Sequence, residues 1–182
     1  AAIAFHIIGH DSMFMHTWDV REKVMDMLEE LSGNRVNYGM VTIGGARRDI
    51  SDELRRKLLK GMDELIPIFD RLVELCVGDK TIAMRTMNVG ILTTEDAIRL
   101  GAIGPHARAS GIKMDIRKDA PYSSYEDFEF DVPVCDTCDV YARNLIRLLE
   151  CYESIKILRQ ALENLPAGPI NLGNKIPKLK EG

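Results

Sequence analysis

Cys135-Asp136-Thr137-Cys138 is the first place where side-chain type and spacing suggest chemistry. Two thiols three residues apart can form half of a zinc site, or interconvert between dithiol and disulfide. A complete four-cysteine site needs a second such pair, and the other two cysteines, Cys76 and Cys151, stand alone. Both fall on apolar faces of expected helices and read as small core side chains. His6 and His10 have the i, i+4 spacing that puts two imidazoles on one helix face, an arrangement that can bind a metal. They lack the HExxH surroundings of a zinc enzyme, and His16 and His106 lie apart from them. Hydrogen bonding to neighbouring helices is the simpler role. Cys135 and Cys138 remain the one candidate metal or redox pair, and a tight turn before a helix is their plainer reading.

A second set of residues is charged. Arg47, Arg48, Arg85, Arg108, Asp115, Arg117 and Asp131 lie among glycines, prolines and small residues, the composition of tightly packed loops. A buried arginine needs a carboxylate, and a bidentate pair fixes geometry as well as charge. Asp115 and Arg117 are expected to take part in such pairs. The competing possibility is exposed ion pairs, which contribute little.

Three long amphipathic helices must position these groups. The first is expected over 2–31, where Ile7, His10, Phe14, Trp18, Met25, Leu28 and Leu31 recur at helical spacing. Gly9 weakens its middle, Asp11-Ser12 offers a restart, and Ser32-Gly33-Asn34 ends it. A β-branched run closed by Gly44-Gly45 predicts a hairpin over 35–43. Ser51-Asp52-Glu53 opens the second helix, whose stripe runs through Leu54, Leu58, Met62, Leu65, Phe69, Leu72 and Cys76. Pro67 lies within it and predicts a kink. Residues 80–88 predict a helical turn.

The stretch Gly90–Gly111 packs several punctuation signals together. Thr93 or Thr94 caps a short helix with Glu95 and Asp96 in its first turn, and Gly101 stops it. Pro105 opens another helix. Ala107, Ala109 and Ser110 are small enough for close backbone approach, so a connector buried between longer helices is expected. Residues 112–138 read as a long ordered loop. The third long helix is expected over 139–165, with Tyr141, Leu145, Leu148, Tyr152, Ile155, Leu158, Leu162 and Leu165 as its stripe. The tail 171–182 should be extended or disordered. The fold class is therefore mainly α: a bundle of three long helices, short connecting helices and one small β-hairpin, in a single domain.

Composition narrows function. At 182 residues and 46% hydrophobic content the chain can bury a real core, and a net charge of −4 provides no field for nucleic acid. No apolar run reaches the roughly 20 residues needed to span a bilayer. Four cysteines in a chain of this length suit a reducing compartment. The chain lacks an initial Met and opens on residues that resemble the middle of a buried helix, so an internal piece of a longer subunit is expected.

The blocks LTTEDAIRLGAIGPHARASG, DIRKDAPYSSYEDFEFDVPV and DVYARNLIRLLECYESIKILRQALENLPAGPI occur in that order. Together they resemble a large-subunit family shared by two enzymes. One is respiratory NADH:quinone oxidoreductase, through its 49 kDa subunit; the other is the membrane-bound, energy-converting nickel–iron hydrogenase. The resemblance runs from about Met13 to Pro177, nearly the whole chain.

The resemblance implies a scaffold within a peripheral complex on the cytoplasmic side of the cell membrane. Its partners would be a small iron–sulfur subunit and membrane subunits that move ions. The parent complex would hold a nickel–iron centre or a quinone, with a 4Fe-4S cluster in the partner subunit. The family's metal-binding cysteines and quinone-headgroup His and Tyr would fall outside 1–182, leaving this chain with no cofactor and no catalytic residue of its own. A non-catalytic assembly module, or a small zinc protein using Cys135 and Cys138, are the alternatives. The hairpin, with Arg35, Asn37, Met40 and Thr42, would face the cluster. Asn37 would occupy a position where quinone-reducing relatives carry a His, and TIGGARRDI looks closer to the hydrogenase branch. Arg47, Arg48, Arg85, Arg108, Asp115, Arg117 and Asp131 would form a structural network at a subunit interface. With partners removed, Ile3, Phe5, Ile7 and Phe14 are expected to lie bare and drive self-association.

Overall fold

The structure, a computed structural model, describes residues 1–173. Its three long helices are α2 (Asp11–Ser32), α3 (Asp52–Gly78) and α8 (Val140–Glu163). The first expected helix is divided: α1 (Ala2–Ile7) precedes α2, and the chain turns between them at Gly9, whose φ is +80°. A left-handed residue cannot continue a right-handed helix, so glycine here makes a corner. The restart is capped by His10, whose Nδ1 accepts the Met13 N–H at 3.4 Å, one residue before the expected Asp11-Ser12. Gly33 closes α2 in the left-handed conformation.

The corner changes what α1 buries. Phe5 is 1% exposed and packs with Met13, Phe69, Leu72, Cys76, Ile82 and Leu148 in a core where five helices meet. The fifth of these is α4 (Lys80–Thr86). The expectation that Phe5 lies bare is therefore wrong, and Phe14 is only partly exposed; Ile3 and Ile7 do face outward. A second core joins Leu58 and Met62 to Leu162, with Met27 and Leu31 against it. Here α2 approaches α3 closely at Gly61, where an added Cβ would meet the Met27 sulfur at 2.8 Å.

Ser51 caps α3 by accepting the Leu54 N–H, and the expected stripe is buried from Leu58 to Cys76, with Leu54 at its start only partly covered. The helix continues through Pro67, which sits on its exposed side. Asp79 ends α3 and caps α4.

The hairpin is shorter and later than expected. Its strands are β1 (Val41–Thr42) and β2 (Gly45–Ala46), antiparallel, with Val41 opposite Ala46. Arg35 and Asn37 lie in the irregular approach before it. The turn must start where the glycines allow: Gly44 and Gly45 have φ of +93° and +142°. The β-branched residues upstream do not override that requirement. Asn171 pairs with Gly45, so the start of the tail adds a bridge to the hairpin; residues 174–182 of the expected extended tail lie outside the described residues.

α8 departs furthest from its expected single stripe. It packs against α3, α4 and a short helix α6 (Pro105–Arg108), and it buries Ala142, Asn144, Ile146 and Ile157 as well as Leu148 and Leu162. Leu158 faces outward. A helix covered from several sides has no single apolar face to read. Within the expected long loop there are two short helical pieces, α7 (Ile116–Asp119) and a 3-10 turn at Tyr125–Asp127.

Candidate functional site

The connector is built on residues too small to hold backbones apart. Ala97 from α5 (Thr94–Arg99) and Ala107, Ala109 and Ser110 are fully buried. Ala109 meets Ala142 and Ile146, so α6 seats directly on α8. Ser110 Oγ donates to Leu92 O at 2.7 Å, and Thr94 Oγ1 donates to Ser110 O at 2.7 Å. These bonds satisfy carbonyls that burial would otherwise leave unpaired.

The start of α8 holds the connector through two side chains. Asp139, buried, accepts the Ala142 N–H as a helix cap (2.8 Å) and the Asn88 N–H from beyond α4 (2.9 Å). Arg143, one turn on, donates to Cys138 O at 3.0 Å and Gly90 O at 2.5 Å. Neither is among the residues singled out from sequence. An Asp before a helical run is a legible cap, but its second bond spans 51 residues and has no local signature.

A second knot lies on the other side of α6. Arg108 is 7% exposed; its Nε donates to Glu150 Oε1 at 2.5 Å and its Nη1 to Met114 O at 2.8 Å. Asp115, also buried, caps α7 and accepts from Arg117 N (3.0 Å), Nε (3.0 Å) and Nη2 (2.6 Å). Arg108 Nη1 lies 3.8 Å from the same carboxylate. Hydrogen bonds from Arg117 hold the Asp115 carboxyl below its ordinary range, against the opposing effect of burial. The Arg117 guanidinium then stacks 4.9 Å from the centre of the Phe130 ring. Phe130 packs with Val132 and Ile157, and Gln160 exchanges two hydrogen bonds with the Glu129 backbone. The loop is thereby strapped along α8.

The remaining charged candidates lie elsewhere. Arg47 and Arg48 are exposed and reach the end of α2: Arg47 donates to Ser32 O, and Arg48 lies over Gly33. Arg85 and Asp131 are exposed, Asp131 facing Lys156 at 3.7 Å. The expected single network is therefore only Arg108, Asp115 and Arg117, joined by Glu150. Arg35 folds back onto Glu22, Asp26 and Glu29 of α2; Asn37 is exposed; Met40 O accepts the Arg47 N–H; and Thr42 Oγ1 bonds across the hairpin turn to Gly45 O. The two histidines do not converge. His6 meets Asp11 at 2.7 Å and His10 meets Asp79 at 2.9 Å.

Exposed apolar side chains concentrate in the connector and in the residues just before it. Met84, Met87, Ile91, Ile98, Leu100 and Ile103 are all exposed within twenty positions of one another in the chain. Tyr38, Val41 and Ile43 are exposed around the hairpin. Isolated exposed apolar residues are ordinary, but concentrations of them mark surfaces that meet a partner.

Residues 8–181 match the family described as the respiratory-chain NADH dehydrogenase, 49 Kd subunit. The chain belongs to this 49 kDa subunit family. An NADH-quinone oxidoreductase subunit of Flavobacterium johnsoniae is 43% identical over 85% of the chain and 38% of the relative. The corresponding subunit of Desulforamulus reducens is 40% identical over 94% of the chain and 46% of the relative. The carbon monoxide-induced hydrogenase of Rhodospirillum rubrum is 35% identical over the whole chain and 50% of its own length. The chain thus spans about half or less of these relatives.

A nickel–iron centre held by four thiolates does not fit the residues described. Cys76 lies in the helical core, Cys151 hydrogen-bonds within α8, and no group of three or more ligand-type side chains converges among the described residues.

Proposed function

We propose that this chain is the helical core by which the large subunit of a membrane-associated oxidoreductase complex holds its small iron–sulfur partner. The supporting observation is the connector itself, with small residues fully buried, Ala109 seated on α8, and several large apolar side chains left exposed. A rigid inner seat fixes the position of an adhesive outer surface, as a permanent subunit contact requires. The hairpin beside exposed Asn37 would form a second contact, nearer the partner's 4Fe-4S cluster. The Arg108–Asp115–Arg117 network would hold the intervening loop in the shape the partner meets.

In the whole complex, electrons would pass between that cluster and a nickel–iron centre or quinone, coupled to ion movement in membrane subunits. None of the described helices is long and apolar enough to cross a membrane, which suits a peripheral position; we place it on the cytoplasmic side. Asn37 and the TIGGARRDI block favour the hydrogenase branch. Asparagine does not titrate near neutral pH, so Asn37→His in the intact complex should add a pH dependence to the cluster potential. A potentiometric titration that stays flat with pH would contradict cluster proximity.

The purified chain should neither evolve hydrogen from a reduced dye nor reduce a quinone, yet should bind the small subunit. Turnover in either assay would overturn the scaffold reading, as would failure to bind.

A further inference from the structure

The turn carrying Cys135 and Cys138 is pinned more firmly than a simple connection requires. Cys135 N–H donates to Arg108 O at 2.9 Å, and its carbonyl accepts the Gly111 N–H at 2.9 Å. Cys138 N–H donates to Ala109 O at 3.1 Å, and its carbonyl accepts from Leu92 N at 2.9 Å and Arg143 Nη1 at 3.0 Å. All four backbone groups of the two cysteines are thus satisfied by other elements. Both side chains remain partly accessible and both thiols are free. Each is turned over the two residues between them: Cys135 Sγ lies 3.6 Å from Thr137 Oγ1, and Cys138 Sγ lies 3.2 Å from Asp136 O.

Cys138 also has a φ of +62°. This left-handed conformation suits glycine and strains any residue with a Cβ. The backbone clamp holds a cysteine there, where glycine would meet the geometric demand at less cost. The other thiols differ. Cys76 is buried in the main core, and desolvation pushes its thiol up to about 11; Cys151 is exposed on α8, has no second cysteine beside it in sequence, and bonds to Arg147 O in its own helix.

We propose that Cys135 and Cys138 form a reversible dithiol–disulfide pair, a redox clip on the turn that seats the connector on α8. The oxidant is a low-molecular-weight disulfide of the glutathione type. One cysteine thiolate attacks a sulfur of that disulfide, forming a mixed disulfide and expelling one small thiolate. The second cysteine thiolate then attacks the protein sulfur of the mixed disulfide, closing the ring and expelling the second small thiolate. Two electrons pass from the protein sulfurs to the small disulfide, and the two protons lost by the cysteines end on the two small thiols. A metal is the less favoured occupant, because no third ligand-type side chain joins the pair among the described residues. The clip is independent of the scaffold role, and either can fail alone.

The test is a titration of the protein, purified under reductant, in glutathione buffers of graded oxidised-to-reduced ratio, with alkylation of free thiols and peptide mass mapping. A Cys135–Cys138 linkage that appears in one two-electron transition and reverses on reduction is expected. Cys135→Ser and Cys138→Ser should each stop at a mixed disulfide. Cys138→Gly fits the left-handed backbone and keeps the fold, so it should give the same arrest without a folding defect. Persistent mixed adducts on both cysteines of the unaltered protein, or linkage to Cys151 of another molecule, would overturn the proposal. So would zinc retained at one per chain in equilibrium dialysis and blocking oxidation, which would assign the pair to a metal.

Discussion

At the scale of single residues, burial separates charges that sequence context makes look alike. Arg108 is buried, while Arg85 is exposed. Arg108→Ala would leave Glu150 without its guanidinium in a mostly buried site, and breaking such a pair from one side costs about 3–5 kcal/mol. Equilibrium denaturation should detect that loss, and Arg85→Ala should change stability by no more than about 0.5 kcal/mol. Asp115 carries a pH signature. Its pKa in the fold lies below the unfolded value, so the unfolded chain binds more protons in that interval and stability rises with pH. The contribution is complete above about pH 4 and disappears as pH falls through the lower folded value. The stability gap between the protein and Asp115→Asn should therefore be constant near neutrality and narrow in acid. A gap unchanged down to about pH 2, below the ordinary carboxylate range, would contradict the paired geometry.

Among the secondary elements, those with strong local signals are legible and those shaped by distant neighbours are not. The cap at Ser51, the stripe of α3 and the stops at Gly33 and Gly101 each follow from residues within one turn of the feature. α8 does not, because several elements cover it and its outward Leu158 looks no different in sequence from its buried Leu162. The hairpin's position is hard to read because β-branched content extends further than the glycine-dependent turn that sets its register. The corner at Gly9 is visible in sequence, but the burial of Phe5 behind it depends on α4 and α8. The same distinction limits the candidate site: the Asp115–Arg117 pair is local, whereas Asp139, Arg143 and Glu150 act across long sequence separations. Phe5→Ala should cost about 3–5 kcal/mol, the range for large core truncations, while Ile7→Asp, at a position 77% exposed, should leave the melting midpoint nearly unchanged. The reverse ranking would return α1 to the outward-facing role. Gly61→Leu should separate α2 from α3 and cost about 1–3 kcal/mol through overpacking, measured in the same way.

Considered whole, the molecule is a bundle with one face committed to holding its connector in place. Its inner seat rests Ala109, beside α6, on Ala142 and Ile146 of α8, and two polar knots fix the flanking chain. The outer side, from Met84 to Ile103, has no apolar partner of comparable extent among the described residues. A groove of about 480 Å³ between α2, α3 and α8 has a further apolar lining, in which Val24 and Leu158 are exposed. On the proposed function, the connector's outer side is the surface that meets the small subunit. Hydrogen–deuterium exchange of the protein alone and with the purified small iron–sulfur subunit tests that claim most directly. Exchange should slow in residues 84–103 and 41–46 on binding, with α3 unchanged. Protection confined to the α2–α3 groove, or no protection in the connector despite binding, would contradict it.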